Sequence, residues 1–230
     1  MASTNTTPSL FDMKVKSQPL IDIRTLSKNA RQALVEGRKI NIIVSDKTVE
    51  EVPLRLLLAV SSRAQHEFKQ DRSFTELKIR NGVDAKSVKN ICSWLFSVTV
   101  EAKRKCYAMP PTKDMATDIK LCRAAEQLGM RPYSNRVMKD YWKYFSSELP
   151  EYDELSLVVR LALSDQDALL NKVAANLHNR VVEGEMPDRD HFLKYVAERP
   201  KLARAMERLQ NEEAEQEPRL TNRSSKPKRK

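Results

Sequence analysis

The apolar residues of this chain repeat with two different periods, and that difference constrains the fold more than any other feature of the sequence. Residues 39–44 are mostly β-branched, and a turn at 45–47 separates them from 48–52, which predicts an antiparallel hairpin. Residues 77–80 alternate between apolar and polar types like a third strand. From Asp84 onward, apolar residues instead recur every three or four positions, as they do in helices. The sequence therefore predicts an α+β chain with a small sheet and several helices.

Helices are predicted on both sides of the third strand. The helix that Asp84 should cap carries Val88, Ile91, Cys92 and Leu95, whose spacing places them on one face. The other helices predicted before residue 150 cover 25–36, 54–60, 61–70, 112–128 and 134–149.

The chain beyond residue 150 is predicted to be helical. Ser164 and Asp167 have the spacing of a capping box at the start of one helix. A last helix runs from about 187 to 209, and the Arg199-Pro200 step should interrupt or kink it because proline lacks the amide hydrogen. The predicted organisation is a disordered arm at 1–20, a domain at 21–149, a helical extension at 150–210 and a disordered charged tail at 211–230.

The rarer residue types argue against several classes of site. The four glycines are all more than 40 residues apart, which excludes a glycine-rich loop that cradles phosphates. The cysteines, Cys92, Cys106 and Cys122, form no CxxC pair, and the histidines are too scattered for a zinc site. We expect the cysteines to be inert, and His66 and His178 to lie on helix surfaces. The predictions are no enzymatic activity, no metal, no cofactor and no small-molecule substrate.

The sequence also bears on membranes and secretion. It contains no run of 18 or more apolar residues, and its first residues lack the apolar segment of a secretory signal. Hydrophobic residues make up 40% of the chain and charged residues 31%, a composition typical of globular proteins. We therefore expect a soluble, intracellular protein that does not bind membranes.

The order of the predicted elements resembles the BTB/POZ domain: helix, β-hairpin, two short helices, strand, helix and helical pair. The matching positions are Leu56, Leu57 and Ser61 in the family's Leu-Leu-x-x-x-Ser helix entry, Trp94-Leu95-Phe96 in its hydrophobic-Leu-Tyr region, and Ala125, Leu128 and Val137 in its helical pair. The resemblance covers about residues 38–147. It implies a BTB/POZ fold, in which helices flank a small sheet of three to five strands, followed here by an all-helical C-terminal extension. Fungal BTB-only proteins have this arrangement.

The resemblance implies a non-enzymatic interaction module that forms a homodimer. Helix 25–36 stands where BTB domains exchange a helix between subunits, and its small residues would let two helices approach closely. The candidate interface residues are Leu26, Ala30, Ala33 and Leu34. The alternative is that this face packs within its own chain.

Two positions depart from the family pattern. Lys39 stands where BTB domains usually have an aspartate, and Pro53-Leu54 replaces a His-Lys pair. In the family these charged residues lie in a pocket near the dimer interface. Binding of co-repressor peptides by that pocket is therefore not carried over to this chain.

The triplet Phe74-Thr75-Glu76 resembles the motif by which some BTB adaptors bind a cullin scaffold. An apolar side chain beside an acidic group is a physically sensible contact, with Phe74 as the anchor and Glu76 as the hydrogen-bonding group. The alternative is that Phe74 belongs to the core and Glu76 is an ordinary surface residue. The resemblance thus leaves two mechanisms open: a ubiquitin-ligase adaptor whose C-terminal helices hold the substrate, or a nuclear regulatory scaffold.

The positive charge of the chain is concentrated at its C-terminal end. Residues 219–230 hold six basic residues and no acidic one, and they account for six of the ten net charges. The run ends in a cluster that looks like a nuclear-import signal, made of Lys226, Lys228, Arg229 and Lys230. A tail that only keeps the protein soluble is the alternative, so both nucleus and cytoplasm remain open. The rival function is nucleic-acid binding through this basic tail. It is less favoured because Lys and Arg are interspersed with Asp and Glu in the rest of the chain.

Overall fold

The computed structural model describes residues 19–80, 82–100 and 108–211. Together these residues form an α+β chain that is mostly helical and contains one small sheet. The chain divides into two compact units. Of the described residues, the first unit takes in those up to Ala108 together with Ala124–Tyr133, and the second takes in Met109–Arg123 and those from Ser134 to 211.

The sheet of the first unit has three strands in the order β2-β1-β3. β1 (Lys39–Val44) pairs antiparallel with β2 (Lys47–Pro53), which confirms the predicted hairpin. The turn between them uses left-handed backbone at Ser45 and Asp46, with φ of 49° and 61°. β3 (Glu76–Ile79) pairs parallel with β1, so the carboxyl ends of these two strands meet at one edge of the sheet.

The first predicted helix is wrong in its extent. Residues Ile23–Thr25 form a 3-10 turn, and α1 covers only Lys28–Ala33. Ser27 is extended and its side chain accepts a hydrogen bond from the Ala30 amide, so the helix begins there and not at residue 25.

Three further helices of the first unit agree with the predictions. α2 (Leu54–Val60) is buried on most sides, and α3 (Ser62–Gln70) follows it after the cap residue Ser61. α4 (Ala85–Val100) is capped by Asp84, whose carboxylate accepts from the Ser87 amide at 2.8 Å. Its predicted apolar face is fully buried, and the helix packs against β2 of the sheet. The buried residues of that face are Val88, Ile91, Cys92 and Leu95.

The predicted helical pair consists of α5 (Met115–Gln127) and α6 (Arg131–Ser147), and both helices contribute residues to the two units. Gly129 lies between them with φ of +70° and ends α5, in agreement with the helix predicted for 112–128. Its amide donates to the Glu126 carbonyl, and the Met130 amide donates to Ala125. This is the usual pattern at a helix end that a glycine closes.

The second unit has one apolar core formed by its helices. α7 covers Tyr152–Leu161, α8 Ala168–Val182 and α9 Arg189–Ala197, and α10 covers residues 200–211. The break between α9 and α10 lies at the predicted Arg199-Pro200 step. The core joins residues from before and after position 150, including Ile119, Phe145, Leu155, Leu170, Phe192 and Leu202. The division at 149/150 predicted from the sequence therefore does not coincide with this unit, because Phe145 and Ile119 are buried together with the C-terminal helices.

Candidate functional site

A cavity of about 340 Å³ in the first unit has arginines at its rim and apolar side chains beneath them. The cations are Arg38, just before β1, Arg55 on α2, and Arg72, just after α3. Leu54 and Phe68 supply the apolar part. None of the described residues that line the cavity is acidic, so it favours an occupant that combines an apolar group with negative charge.

Arg38 holds the segment that connects α3 to β3. Its guanidinium donates to the carbonyl of Ser73 at 3.3 Å and to the carbonyl of Arg72. Asp71 also organises this turn, since its carboxylate accepts from the Ser73 amide at 2.8 Å and from the Ser73 hydroxyl at 2.6 Å. The bond from that hydroxyl is the main cause that lowers the pKa of Asp71. The turn is therefore fixed in place beside the cavity.

Phe74, one of the two candidate cullin-contact residues, lies at the end of this turn. Its ring meets that of Phe68 edge to face, with the centroids 6.4 Å apart. Phe74 is half-buried, so it is not a core residue, and part of its ring remains accessible. Glu76, the other candidate, is exposed at the start of β3, and its carboxylate lies 4.0 Å from the Lys78 ammonium. Phe74 thus packs on Phe68, which itself lines the arginine-rimmed cavity.

The four candidate dimer residues do not share one helical face. Ala30 and Ala33 are exposed on α1, whereas Leu26 precedes the helix and Leu34 caps its end, and both leucines are half-buried. The buried position of α1 is taken by Arg31, whose guanidinium donates to the Leu26 carbonyl at 2.6 Å. α1 packs against α4 within its own unit. The solvent-exposed surface of α1 therefore includes the small side chains of Ala30 and Ala33.

The remaining candidate residues lie elsewhere. The predicted import signal and one cysteine fall outside the described residues: Lys226, Lys228, Arg229, Lys230 and Cys106. Cys92 is buried, and burial raises the pKa of its thiol to about 12, so the thiol is protonated at neutral pH. Cys122 is also buried and donates to the Ser134 carbonyl at 3.8 Å.

The histidine prediction is half wrong. His66 is exposed on α3, as expected, but His178 is only 3% exposed on α8. Its neighbours Ala174 and Leu177 are buried too, so the buried face of α8 is wide enough to include it.

Within the ranges 19–80, 82–100 and 108–211, no cluster of three or more His, Cys, Asp or Glu side chains could hold a metal ion.

Sequence reasoning missed the arginine rim altogether. Arg38, Arg55 and Arg72 come from three different elements and follow no local period. Only the pairing of β1 with its neighbours and the packing of α2 and α3 bring them together. A charge count could not have found them, because basic and acidic residues are interspersed throughout this part of the chain.

No protein-family model matches this chain, and neither does any curated protein or solved structure. Every helix in the described part of the chain is too short or too polar to cross a membrane.

Proposed function

We propose that this chain is a non-enzymatic protein–protein interaction protein of the BTB/POZ type that acts as an adaptor or scaffold. The order of its elements supports the proposal: a short helix, a β-hairpin, two short helices, a strand, a long helix and a helical pair. That is the order on which the resemblance rests. The helices α7 to α10 are then the C-terminal extension of the module.

The observation that carries the proposal is the position of Phe74 beside the arginine-rimmed cavity. A partly exposed aromatic side chain that packs on a second aromatic ring offers a rigid apolar anchor with little entropy to lose. Arg38 and Asp71 hold the supporting turn, so the anchor is pre-organised for binding. A partner that covers Phe74 can place carboxylates against the nearby guanidinium groups, and charge-assisted hydrogen bonds would then fix its orientation.

A cullin scaffold is the partner we propose for this surface. In that assembly Phe74 inserts into the scaffold, the exposed Glu76 accepts hydrogen bonds at the edge of the contact, and the C-terminal helices hold the substrate for ubiquitin transfer. A nuclear regulatory scaffold, delivered by the basic cluster at residues 226–230, is the second form of the same proposal. Both forms use the module as a dimer, with α1 at the interface.

Direct binding of the full-length protein to a purified cullin scaffold tests the proposal. Phe74→Ala should weaken binding at least tenfold, because it removes the buried anchor of the contact. Thr75→Ala is the matched control, since Thr75 is the exposed neighbour in the same turn, and it should bind within about twofold of the unchanged protein.

The outcomes separate the parts of the proposal. If Phe74→Ala binds as well as the unchanged protein, Phe74 is not the anchor. If the unchanged protein does not bind the cullin, the adaptor form is wrong. Retention of the protein on DNA or RNA, lost at high salt and on deletion of residues 219–230, would favour the rival nucleic-acid function.

A further inference from the structure

A second cavity, of about 490 Å³, opens at the edge of the sheet where β1 and β3 end. The two strands are parallel, so the turn residues Ser45 and Asp46 after β1 lie beside Arg80, which follows β3. In open α/β sheets, ligands bind outside the carboxyl ends of the strands, and the parallel pair of β1 and β3 presents two such ends side by side here. We call this cavity the sheet-edge pocket.

Arg63 is fixed in the wall of the sheet-edge pocket. It lies in the first turn of α3, and its guanidinium donates to the carbonyl of Gln127 at 3.2 Å and to the carbonyl of Lys78. A guanidinium has five N–H donors, and these two contacts use two of them. Arg63 is therefore held in position with hydrogen-bonding capacity to spare.

The charges around the sheet-edge pocket are mainly positive. Arg63, Lys78 and Arg80 line it, and Asp46 is the one acidic residue in the described part of its lining. Lys78 also lies 4.0 Å from Glu76, an exposed pair that water screens strongly. Arg80 and Lys78 are exposed, so both can turn towards an anion in the pocket without a cost in burial. The net charge of the lining remains positive.

We propose that the sheet-edge pocket binds the phosphate of a phosphomonoester. A phosphate dianion presents several oxygens, and a fixed guanidinium beside two exposed cations can donate to more than one of them. A phosphorylated side chain of a protein partner and a small phosphorylated molecule offer the same group. Among the residues that the structure describes, the pocket and the arginine-rimmed cavity have no lining residue in common, so this site stands independently of the proposed adaptor function.

The test is titration of the full-length protein with inorganic phosphate at constant ionic strength, followed by the NMR shifts of backbone amides. The expected shifts cluster at residues 45–46 and 78–80. The double variant Lys78→Gln/Arg80→Gln should bind phosphate at least tenfold more weakly, because two charge-assisted contacts are lost. The control Lys86→Gln/Lys89→Gln removes the same charge from exposed positions on α4 and should change the affinity by less than about twofold.

Two results of this titration would overturn the proposal: the same affinity for phosphate in both double variants, or shifts spread over all basic surfaces. Arg63 is left unchanged because its contacts with two carbonyls also support the fold.

A second experiment identifies the source of the phosphate. A protein partner is indicated if a phosphoserine peptide binds more tightly than glucose 6-phosphate and the unphosphorylated peptide does not bind. A small molecule is indicated if glucose 6-phosphate binds more tightly than the phosphoserine peptide. Failure of all three phosphate probes to bind contradicts the site itself.

Discussion

The guanidinium of Arg123 on α5 donates to the carboxylate of Asp167 at the start of α8, and both residues are buried, with exposures of 5% and 7%. The same carboxylate caps α8, since its Oδ1 accepts from the amides of Leu169 at 3.0 Å and Leu170 at 3.1 Å. One side chain thus accepts hydrogen bonds from amides in the first turn of α8, which have no partner within the helix, and also neutralises a buried cation. It connects α5 to the C-terminal helices inside the second unit.

Removal of this carboxylate should be costly. Asp167→Ala removes both the carboxylate to which the buried Arg123 guanidinium donates and the cap of α8, so we expect a loss of about 3–5 kcal/mol in the free energy of unfolding. Asp165→Ala is the control, because Asp165 pairs with Arg204 at 3.1 Å in a more exposed position and should cost less than about 1 kcal/mol. Urea unfolding of both variants measures the difference. Equal losses would mean that the buried pair adds nothing to the stability of the unit.

Gly129 should tolerate a side chain much less well than Gly184. Both have left-handed backbone, with φ of +70° and +73°, so alanine costs about 1–2 kcal/mol at either position. A Cβ at Gly129 would also lie 2.6 Å from the Arg63 amide nitrogen and 2.5 Å from the Ser62 hydroxyl, whereas at Gly184 no atom of the described ranges lies within 4 Å. We therefore expect Gly129→Ala to cost about 1–3 kcal/mol more than Gly184→Ala. Similar midpoints in urea for the two variants would contradict this close approach.

The elements that sequence patterns predicted well are those whose signals are local. The hairpin at 39–52 is a β-branched run followed by a short turn, and α4 combines a capping aspartate with a regular apolar face. Gly129 ends α5 because left-handed backbone is accessible to glycine at little cost. Each of these signals lies within a few residues of the feature that it predicts.

The features that were predicted wrongly or not at all depend on contacts between residues distant in sequence, or on competition between neighbouring sequence patterns. Ser27 competes with the apolar spacing at 25–36 and starts α1 later than predicted. Asp167 itself caps α8, because its carboxylate accepts from the first amides of that helix. His178 looks polar in the sequence but falls on a wide buried face. Nothing local indicates that β3 pairs parallel with β1, so neither the sheet-edge pocket nor the arginine rim could be predicted.

Tyr144 should make the stability of the second unit depend on pH in the alkaline range. Its hydroxyl donates to the Glu154 carboxylate at 2.6 Å, and this bond, followed by burial, raises the pKa of Tyr144 to about 12. An unfolded tyrosine ionises near pH 10, so the stabilisation is complete below about pH 10 and disappears as the pH rises towards about 12. Tyr144→Phe should cost about 1 kcal/mol at neutral pH and progressively less above about pH 10.

Urea unfolding of the two proteins between about pH 8 and pH 11.5 measures this difference. Glu154→Gln is the control, since it removes the carboxylate that holds the proton on Tyr144 and should abolish the same alkaline loss. A difference between the unchanged protein and Tyr144→Phe that is constant across this range would contradict the assignment.

Self-association through α1 predicts that charge at its exposed alanines splits the dimer. Ala30→Glu/Ala33→Glu adds two carboxylates to a surface that would face its own copy, where like charges repel and lose their water. Both side chains are exposed in the single chain, so the variant should fold normally. Light scattering of the full-length protein should give twice the 26.5 kDa of one chain, and the variant should give the single mass.

Gln32→Glu is the control for that experiment, because Gln32 is exposed on the same helix and adds the same kind of charge outside the two alanines. It should leave the dimer intact. A single mass for the unchanged protein would exclude the dimer. A dimer that survives in the Ala30→Glu/Ala33→Glu variant would place the interface on another surface, since two carboxylates cannot be buried against their own copies without a large loss of affinity.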